Sequence, residues 1–312
     1  MGSPAPGVVL IVNPAASRAT ARDRAAAVAA LAGHGLQGVF LTRGSGDAGA
    51  LAAQAVAAGA GTVVAMGGDG TASEVAAALA GGPALMAPLP VGSTNVFARA
   101  IGWPRDPRSA LRALTRALAD PHARTLTLGR LEAGPHRRTF LFNAGWGVDA
   151  ETVHLVEAHP AVKRRLRQGW FTAATIASGV RLGFGAPRIR PVIDGEPGPD
   201  LVSLVAACGS PYSYLGPRRL DLVPGVAFDG RLGWLGLLRA RPHEIAAVVG
   251  GALRGGRHVG RAGVSLGWVE RALEATADRP VALQADGAPL GWHDRLLVAP
   301  GPSVSVLHPP KG

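Results

Sequence analysis

Three glycines within four positions frame a single acid in Gly67-Gly68-Asp69-Gly70-Thr71, directly after the apolar run at residues 62–66. Glycine lets a backbone turn sharply and bare its N–H groups, and a helix that starts there turns the positive end of its dipole toward whatever approaches. Such a loop suits a phosphate. An acid inside it opposes anion binding unless a divalent cation or an ordered hydroxyl lies between, so Asp69 points to a metal–nucleotide site. The plainer alternative is a tight strand-to-helix turn with Asp69 as N-cap, although a simple turn does not need glycine on both sides of the acid. Pro90-Val91-Gly92-Ser93-Thr94-Asn95 repeats the logic after the next apolar run. Its Ser93, Thr94 and Asn95 offer hydroxyl and amide partners for a ribose or phosphate. Alone this segment reads as a helix cap; paired with the first loop it favours a nucleotide cleft.

Other motifs carry less. Gly44-Ser45-Gly46-Asp47-Ala48-Gly49 matches the G-x-G-x-x-G spacing of dinucleotide sites. It follows the second strand, however, and the acid at the distance expected of a ribose ligand is Asp69, inside its own loop, so a dehydrogenase is disfavoured. Phe228-Asp229-Gly230-Arg231 and Gln284-Ala285-Asp286-Gly287 are acid–glycine pairs, each of which alone reads as a hairpin turn. The histidines are scattered without i, i+4 pairing on a helix, so no zinc site is expected. No G-x-S-x-G is present, and no glycine precedes either lysine at P-loop spacing.

The elements that must position these residues follow from periodicity. Residues 7–12 (GVVLIV) form a continuous apolar run, as a strand buried on both faces should. Ser17 is placed to cap an Arg/Ala helix running to about residue 32. Strands are expected at 39–42, 62–66 and 84–89, with helices at 48–58, from the glycine loop to 79, and across 107–119. This alternation means βαβ units and a mainly parallel sheet. Asp120-Pro121 breaks the rhythm. Beyond it, strands are expected at 124–131, 139–144, 188–193, 201–207, 232–238, 280–285 and 296–298, with helices at 149–180 and 242–253. That pattern suits an antiparallel β domain with inserted helices. The expected boundary lies near residue 123, giving domains 1–123 and 124–312, with the last strand free to return to the first.

Composition bounds the function classes. The chain has 312 residues, 47% hydrophobic and 17% charged, which excludes disorder. Gly 44 and Pro 25 without a three-residue period exclude collagen and imply many tight turns. One cysteine, Cys208, excludes a disulfide framework. The formal charge is +11, yet Lys163 and Lys311 are the only lysines. Part of the arginine excess therefore reads as GC-rich codon usage, and attraction to anionic surfaces is a better reading than nucleic-acid binding, which lacks aromatic interleaving at 5% aromatic residues. Residues 1–10 lack the basic n-region of a signal peptide. Residues 48–68 are uncharged but mostly Ala and Gly, and read as helix, turn and strand rather than as a span. A soluble, cytoplasmic protein is expected.

Taken together these motifs resemble the bacterial lipid kinases of the diacylglycerol kinase type, whose catalytic domain is shared with diacylglycerol, sphingosine and ceramide kinases. The resemblance runs through Ile11-Val12-Asn13-Pro14, Thr42 with Gly46-Asp47-Ala48, the GGDGT loop with Glu74, and residues 92–99. It continues through Phe142-Asn143-Ala144-Gly145 with Gly147, Lys163, residues 224–232 and residues 284–287. It implies an open parallel α/β nucleotide-binding domain, like that of NAD kinase and phosphofructokinase, and a C-terminal antiparallel β-sandwich that takes the lipid, with a cleft between them. ATP contacts would fall on Asn13, Thr42, Gly67, Gly68, Asp69, Gly70, Thr71, Glu74 and Ser93. Asp229 resembles the structural Mg2+ ligand, completed by the backbone carbonyls of Val226 and Arg231. Asp286 resembles the catalytic carboxylate facing the lipid hydroxyl.

The implied activity is ATP-dependent phosphorylation of a lipid hydroxyl, with diacylglycerol the favoured acceptor. Another lipid, a sphingoid base among them, or a catalytically impaired nucleotide- or lipid-binding relative, is the alternative. The implied partner is a lipid at the inner face of a membrane, contacted peripherally, with no nucleic acid and with a homodimer left open. Three departures stand out: Ala15-Ala16-Ser17 replaces the usual Ser-Gly after Asn-Pro, Val96 follows Asn95 where the family has an acid, and Ala288 follows Asp286-Gly287 where it has a glutamate.

Overall fold

The computed structural model describes residues 7–158 and 187–309. It divides into two units, Met1–Leu126 with Pro302–Gly312, and Thr127–Gly301.

In the first unit the apolar run becomes β1 (Gly7–Val12), buried at every position. β2 (Leu36–Leu41), β3 (Ala60–Gly67) and β4 (Leu85–Pro90) follow, joined by α1 (Ala21–Ala32), α2 (Asp47–Ala57) and α3 (Asp69–Leu79). All pairings are parallel, in the order β2-β1-β3-β4. The end of β16 (Ala288–Leu307) adds beside β4, with Ser305 opposite Leu85. Continuous β-branched and aliphatic runs fit strands covered on both faces, and the cover is made of small residues. Ala27 and Leu31 of α1, Ala52 and Ala55 of α2, and Val75, Ala76 and Leu79 of α3 are buried. Gly49 brings α2 against the backbone of α3, where a Cβ would lie 3.1 Å from the Glu74 carbonyl oxygen. α4 (Val96–Ala100) and α5 (Pro107–Ala119) complete the unit. The chain leaves β1 for β2 on one side and returns to β3 on the other, so the topological switch point lies between the ends of β1 and β3, where open α/β sheets bind ligands.

The second unit is antiparallel. β7 (Asn143–Trp146) pairs with β10 (Ser203–Ala207) on one side and with β15 (Leu273–Ala285) on the other. β13 (Leu232–Leu237) and β14 (Val264–Val269) extend the sheet beyond β10. β5 (Ala123–Ala133) pairs with β6 (His136–Phe140), and β8 (Ile189–Ile193) with β15 and with the short β9 (Glu196–Pro197). β11 (Ser213–Leu215) and β12 (Arg218–Leu220) form a separate two-stranded ribbon. α6 (Val148–Glu157) follows β7, and α7 (Pro242–Ala252) packs Ile245 and Val248 into a core with Val226, Leu235 and Leu237.

Several expected bounds shift. The cap of α1 is Thr20, whose hydroxyl accepts from the Asp23 amide, rather than Ser17. β14 falls where no strand is expected, because Ser265 and Gly267 dilute its apolar alternation. β15 and β16 are far longer than the fragments expected at 280–285 and 296–298, since their exposed halves carry charges that hide a strand. The helix expected at 149–180 is described as far as Glu157. Lys163, through which the resemblance runs, and Arg164, Arg165 and Arg167 beside it, a basic run suited to an anionic bilayer, lie outside the described residues.

Candidate active site

In the first unit, parallel register places Gly67 opposite Pro90, so the two glycine loops leave the same edge side by side. The Val91 amide donates to the Gly67 carbonyl at 2.9 Å. The loops then touch backbone to backbone: a Cβ on Gly92 would fall 2.6 Å from the Gly68 Cα and 2.7 Å from Asn95 Oδ1. Glycine is required here by proximity, not by φ.

Asn95 is buried in the left-handed region at φ 50°, its Oδ1 accepting from the Gly92 amide and its Nδ2 donating to the Gly92 carbonyl. A side chain spent on the loop cannot cap α4, and Asp69 does so instead, its Oδ1 accepting from the Phe97 amide at 2.9 Å. Asp69 therefore caps a helix, as the plainer sequence reading allowed, but it caps a neighbouring one; the N-cap of its own helix is Gly68. Asn13, at the end of β1, donates through its amide N–H to the Met66 carbonyl and through Nδ2 to Thr71 Oγ1 at 3.2 Å. Arg18 Nε braces the Gly92 carbonyl at 2.8 Å.

These contacts shape a pocket of about 230 Å³ lined by Asn13, Ala16, Ser17, residues 68–71 and residues 92–94. Its wall is backbone, hydroxyl and amide, with Asp69 the one ionisable side chain among the lining residues. Of the expected ATP contacts, Asn13, Gly68, Asp69, Gly70, Thr71 and Ser93 line it. Gly67 lies one residue behind, at the end of β3. Thr42 and Glu74 stand outside the lining. Thr42 is buried at the end of β2, its amide donating to the Val12 carbonyl. The Glu74 carboxylate accepts from the amides of Gly46 at 2.8 Å and Ala48 at 3.1 Å. That second interaction also disposes of the G-x-G-x-x-G match, because the N–H groups at the start of α2 already hold a carboxylate of the chain itself.

In the second unit Asp286-Gly287 is the two-residue turn joining β15 to β16, with Ala285 paired to Ala288 and φ of 50° and 78°. Positive φ at both central residues is the type I′ geometry that matches strand twist. The turn aims the Asp286 carboxylate at the loop before β7, where it accepts from the amides of Leu141 (2.6 Å), Phe142 (2.7 Å) and Asn143 (3.1 Å). The hairpin-turn reading and the carboxylate reading thus meet in one residue.

Behind it lies a polar network that sequence reading missed. Gln284, fully buried, accepts from the Gly287 amide and donates to Asn143 Oδ1 (2.8 Å) and Asp149 Oδ2 (2.7 Å). The Tyr212 hydroxyl donates to Asp149 Oδ1. Burial raises the Asp149 carboxyl above its ordinary range, with the Tyr212 and Gln284 hydrogen bonds pulling the other way. Burial and the neighbouring Asp149 charge push the Tyr212 phenol well above its usual value. The available signal was Gln284, a polar residue within the apolar run Val281-Ala282-Leu283-Gln284-Ala285.

The three expected metal ligands share one turn. Phe228 at φ 58° and Gly230 at φ 103° fold it sharply. Asp229 Oδ2 lies 3.6 Å from Arg231 Nε, and the Arg231 guanidinium stacks 4.0 Å over Trp268. Val226 is buried in the core beneath. Among the described residues no three His, Cys, Asp or Glu side chains gather. A cation on this turn would thus be held by one carboxylate and backbone carbonyls, an all-oxygen set that fits hard Mg2+ or Ca2+ rather than zinc.

The arrangement is that of an open parallel α/β unit joined to an antiparallel β unit, and solved structures share it. A diacylglycerol kinase from Bacillus anthracis superposes with a TM-score of 0.68 at 18% identity, over 97% of each chain. An NAD kinase from Archaeoglobus fulgidus in complex with ATP gives 0.54 at 13% identity, over 97% of this chain and 94% of that one. The diacylglycerol kinase catalytic domain matches residues 7–129. A YegS-like lipid kinase of Xanthomonas oryzae pv. oryzae is 32% identical over 288 residues, 89% of each chain. One from Pseudomonas aeruginosa is 50% identical over 93 residues, a span that covers 29% of either protein. The chain belongs to the diacylglycerol kinase-type family of lipid kinases.

Proposed function

We propose that this protein transfers the γ-phosphate of ATP to a lipid hydroxyl, with diacylglycerol as the favoured acceptor and phosphatidic acid as the product. The observation that carries the reading is the backbone-lined pocket where two glycine loops meet at the carboxyl ends of β3 and β4, in a chain of this family. Phosphoryl transfer asks a protein mainly for positioning and charge neutralisation. The amides at the start of α3, at the positive end of its dipole, with the hydroxyls of Thr71, Ser93 and Thr94, are suited to triphosphate oxygens. Mg2+ carried with the nucleotide would supply charge neutralisation at the pocket; Asp229 with the carbonyl oxygens of Val226 and Arg231 is the set that would hold the separate, structural Mg2+. Asp286 accepts the proton of the lipid hydroxyl late in transfer. No helix among the described residues is long and apolar enough to cross a membrane, and the proposed enzyme works peripherally, at the inner face.

A second reading, a nucleotide or lipid binder without turnover, is favoured by two observations. Ala288 leaves the turn with Asp286 as its one carboxylate, and that carboxylate already accepts three amide hydrogen bonds. Incubation with radiolabelled ATP and a panel of diacylglycerol, monoacylglycerol, sphingoid base and NAD separates the readings. Labelled phosphatidic acid is expected; ATP binding with no labelled product from any acceptor establishes the second. Asp286→Asn is expected to reduce turnover by about a hundred-fold or more with ATP affinity unchanged, and to lower the melting temperature, because an amide cannot accept all three N–H groups. Undiminished turnover removes Asp286 from the mechanism.

A further inference from the structure

The β11–β12 ribbon is short and closed by a tight turn. Leu215 pairs with Arg218 across the two-residue turn Gly216-Pro217. Gly216 takes φ 61°, as the first position of a II′ turn requires, and Pro217 fixes the next φ. The tip therefore presents Leu215, 41% exposed, beside the exposed Arg218.

A second segment is tied to the base of this ribbon. The Asp221 amide donates to the Ala252 carbonyl at the end of α7. The loop that follows is pinned back by His258, wholly buried, whose Nε2 lies 2.8 Å from the Leu222 carbonyl oxygen. Gly256 packs so closely on Pro224 that a Cβ would approach its ring to 2.7 Å. Around these anchors Arg254, Arg257 and Arg261 are exposed, and Val259 is 45% exposed.

The charge on these two segments has one sign. No Asp or Glu occurs from Ile245 to Val269 or from Ser210 to Leu220. Asp221, the acid at the junction, is largely covered, bonded to the Ser210 hydroxyl and paired with Arg219 at 3.3 Å. Four exposed arginines on stretches free of Asp and Glu, together with two exposed aliphatic side chains, complement an anionic lipid surface: the guanidinium groups meet headgroup phosphates while leucine and valine enter the boundary with the acyl chains. Duplex or single-stranded nucleic acid would satisfy the charge but gain nothing from Leu215 and Val259.

We propose that the β11–β12 tip and the loop from Arg254 to Arg261 form the surface by which this protein docks on an anionic bilayer. The proposal deepens the lipid kinase reading by naming its membrane-facing surface. Docking needs no catalysis and can be measured apart from it.

Near a surface rich in anionic lipid each basic residue contributes about five-fold to partitioning, an effect that salt screens. The test is co-sedimentation of the full chain with phosphatidylcholine vesicles, with and without phosphatidylglycerol. Arg254→Gln with Arg257→Gln is expected to weaken binding to the anionic vesicles by about twenty-five-fold, and Leu215→Asp to weaken it further. Turnover on a short-chain, monomerically dispersed diacylglycerol should be unchanged in both. Wild-type binding by the double variant overturns the proposal. So does tighter binding of wild type to single-stranded RNA than to anionic vesicles at the same salt, if the same arginines carry it. Loss of vesicle binding in the variants with no lipid phosphorylation even by wild type sinks the kinase reading and leaves the docking surface standing.

Discussion

Glu74 shows how one side chain can be claimed by architecture in a segment that resembles a ligand site. It sits on α3, five residues beyond the acid of the glycine loop, and the resemblance assigns it to ATP. In the structure its two oxygens close the start of α2, one to Gly46 and one to Ala48. An acid at a helix N-terminus satisfies otherwise unpaired amides and faces the favourable end of the dipole. Glu74→Ala should therefore cost about 1–2 kcal/mol of stability, the size of a lost cap, and shift ATP affinity by less than about three-fold. Thermal melts and titration calorimetry check both halves. A loss of ATP affinity of ten-fold or more at unchanged melting temperature would restore Glu74 as a direct contact. Asp69 stands differently: it caps α4 while lining the pocket, so its carboxylate belongs to both the scaffold and the site.

At the scale of elements, the site depends on how closely two loops can approach, and glycine is what permits it. Gly92→Ala would drive a methyl group into the Gly68 backbone, which cannot swing aside as a side chain could. Overpacking of this kind costs about 1–3 kcal/mol and should also reduce ATP affinity by parting the loops. Gly70→Ala is the informative contrast. A Cβ there meets nothing within 4 Å, and the residue lies in the first turn of α3. Alanine in place of glycine favours a helix by up to about 1 kcal/mol, so the melting temperature should hold or rise while the added methyl group, on a pocket-lining residue, lowers ATP affinity. Equal ATP affinity in wild type and Gly70→Ala would mean that phosphate does not approach this backbone.

The alternation that produced β1, β3 and β4 was plain in the sequence because strands buried on both faces must be apolar throughout, and the glycine loops were plain because their spacing has few other uses. The Gln284–Asp149–Tyr212 network was not, since its members come from a strand, a helix and a loop that only tertiary pairing brings together. β15 and β16 were read short for a related reason: where one face meets solvent, charged residues interrupt the pattern although the backbone pairing continues.

For the molecule as a whole, that network links folding to pH. Asp149 has a carboxyl raised by burial, and a raised acid holds its proton more tightly in the folded chain than in the unfolded one. Below the ordinary carboxylate range both states are protonated and nothing is lost. As pH climbs above that range the unfolded chain releases the proton first, so stability falls until the folded carboxyl also ionises, after which the cost is constant. This runs opposite to Asp194, lowered by amide hydrogen bonds from Glu270, Arg271 and Ala272 and by the Arg271 charge, against a desolvation that acts to raise it. Its contribution is present above the ordinary range and is lost on acidification. Asp149→Asn removes the first dependence alone. Its Oδ1 can still accept from Gln284 Nε2, and its Nδ2 can donate to the Tyr212 oxygen, so packing is retained. Denaturant melts of wild type and variant across mildly acidic to neutral pH should show the variant gaining relative stability as pH rises from the ordinary carboxylate range, then a constant offset. Parallel curves over the whole range would mean that the Asp149 proton is held no more tightly in the folded chain than in the unfolded one.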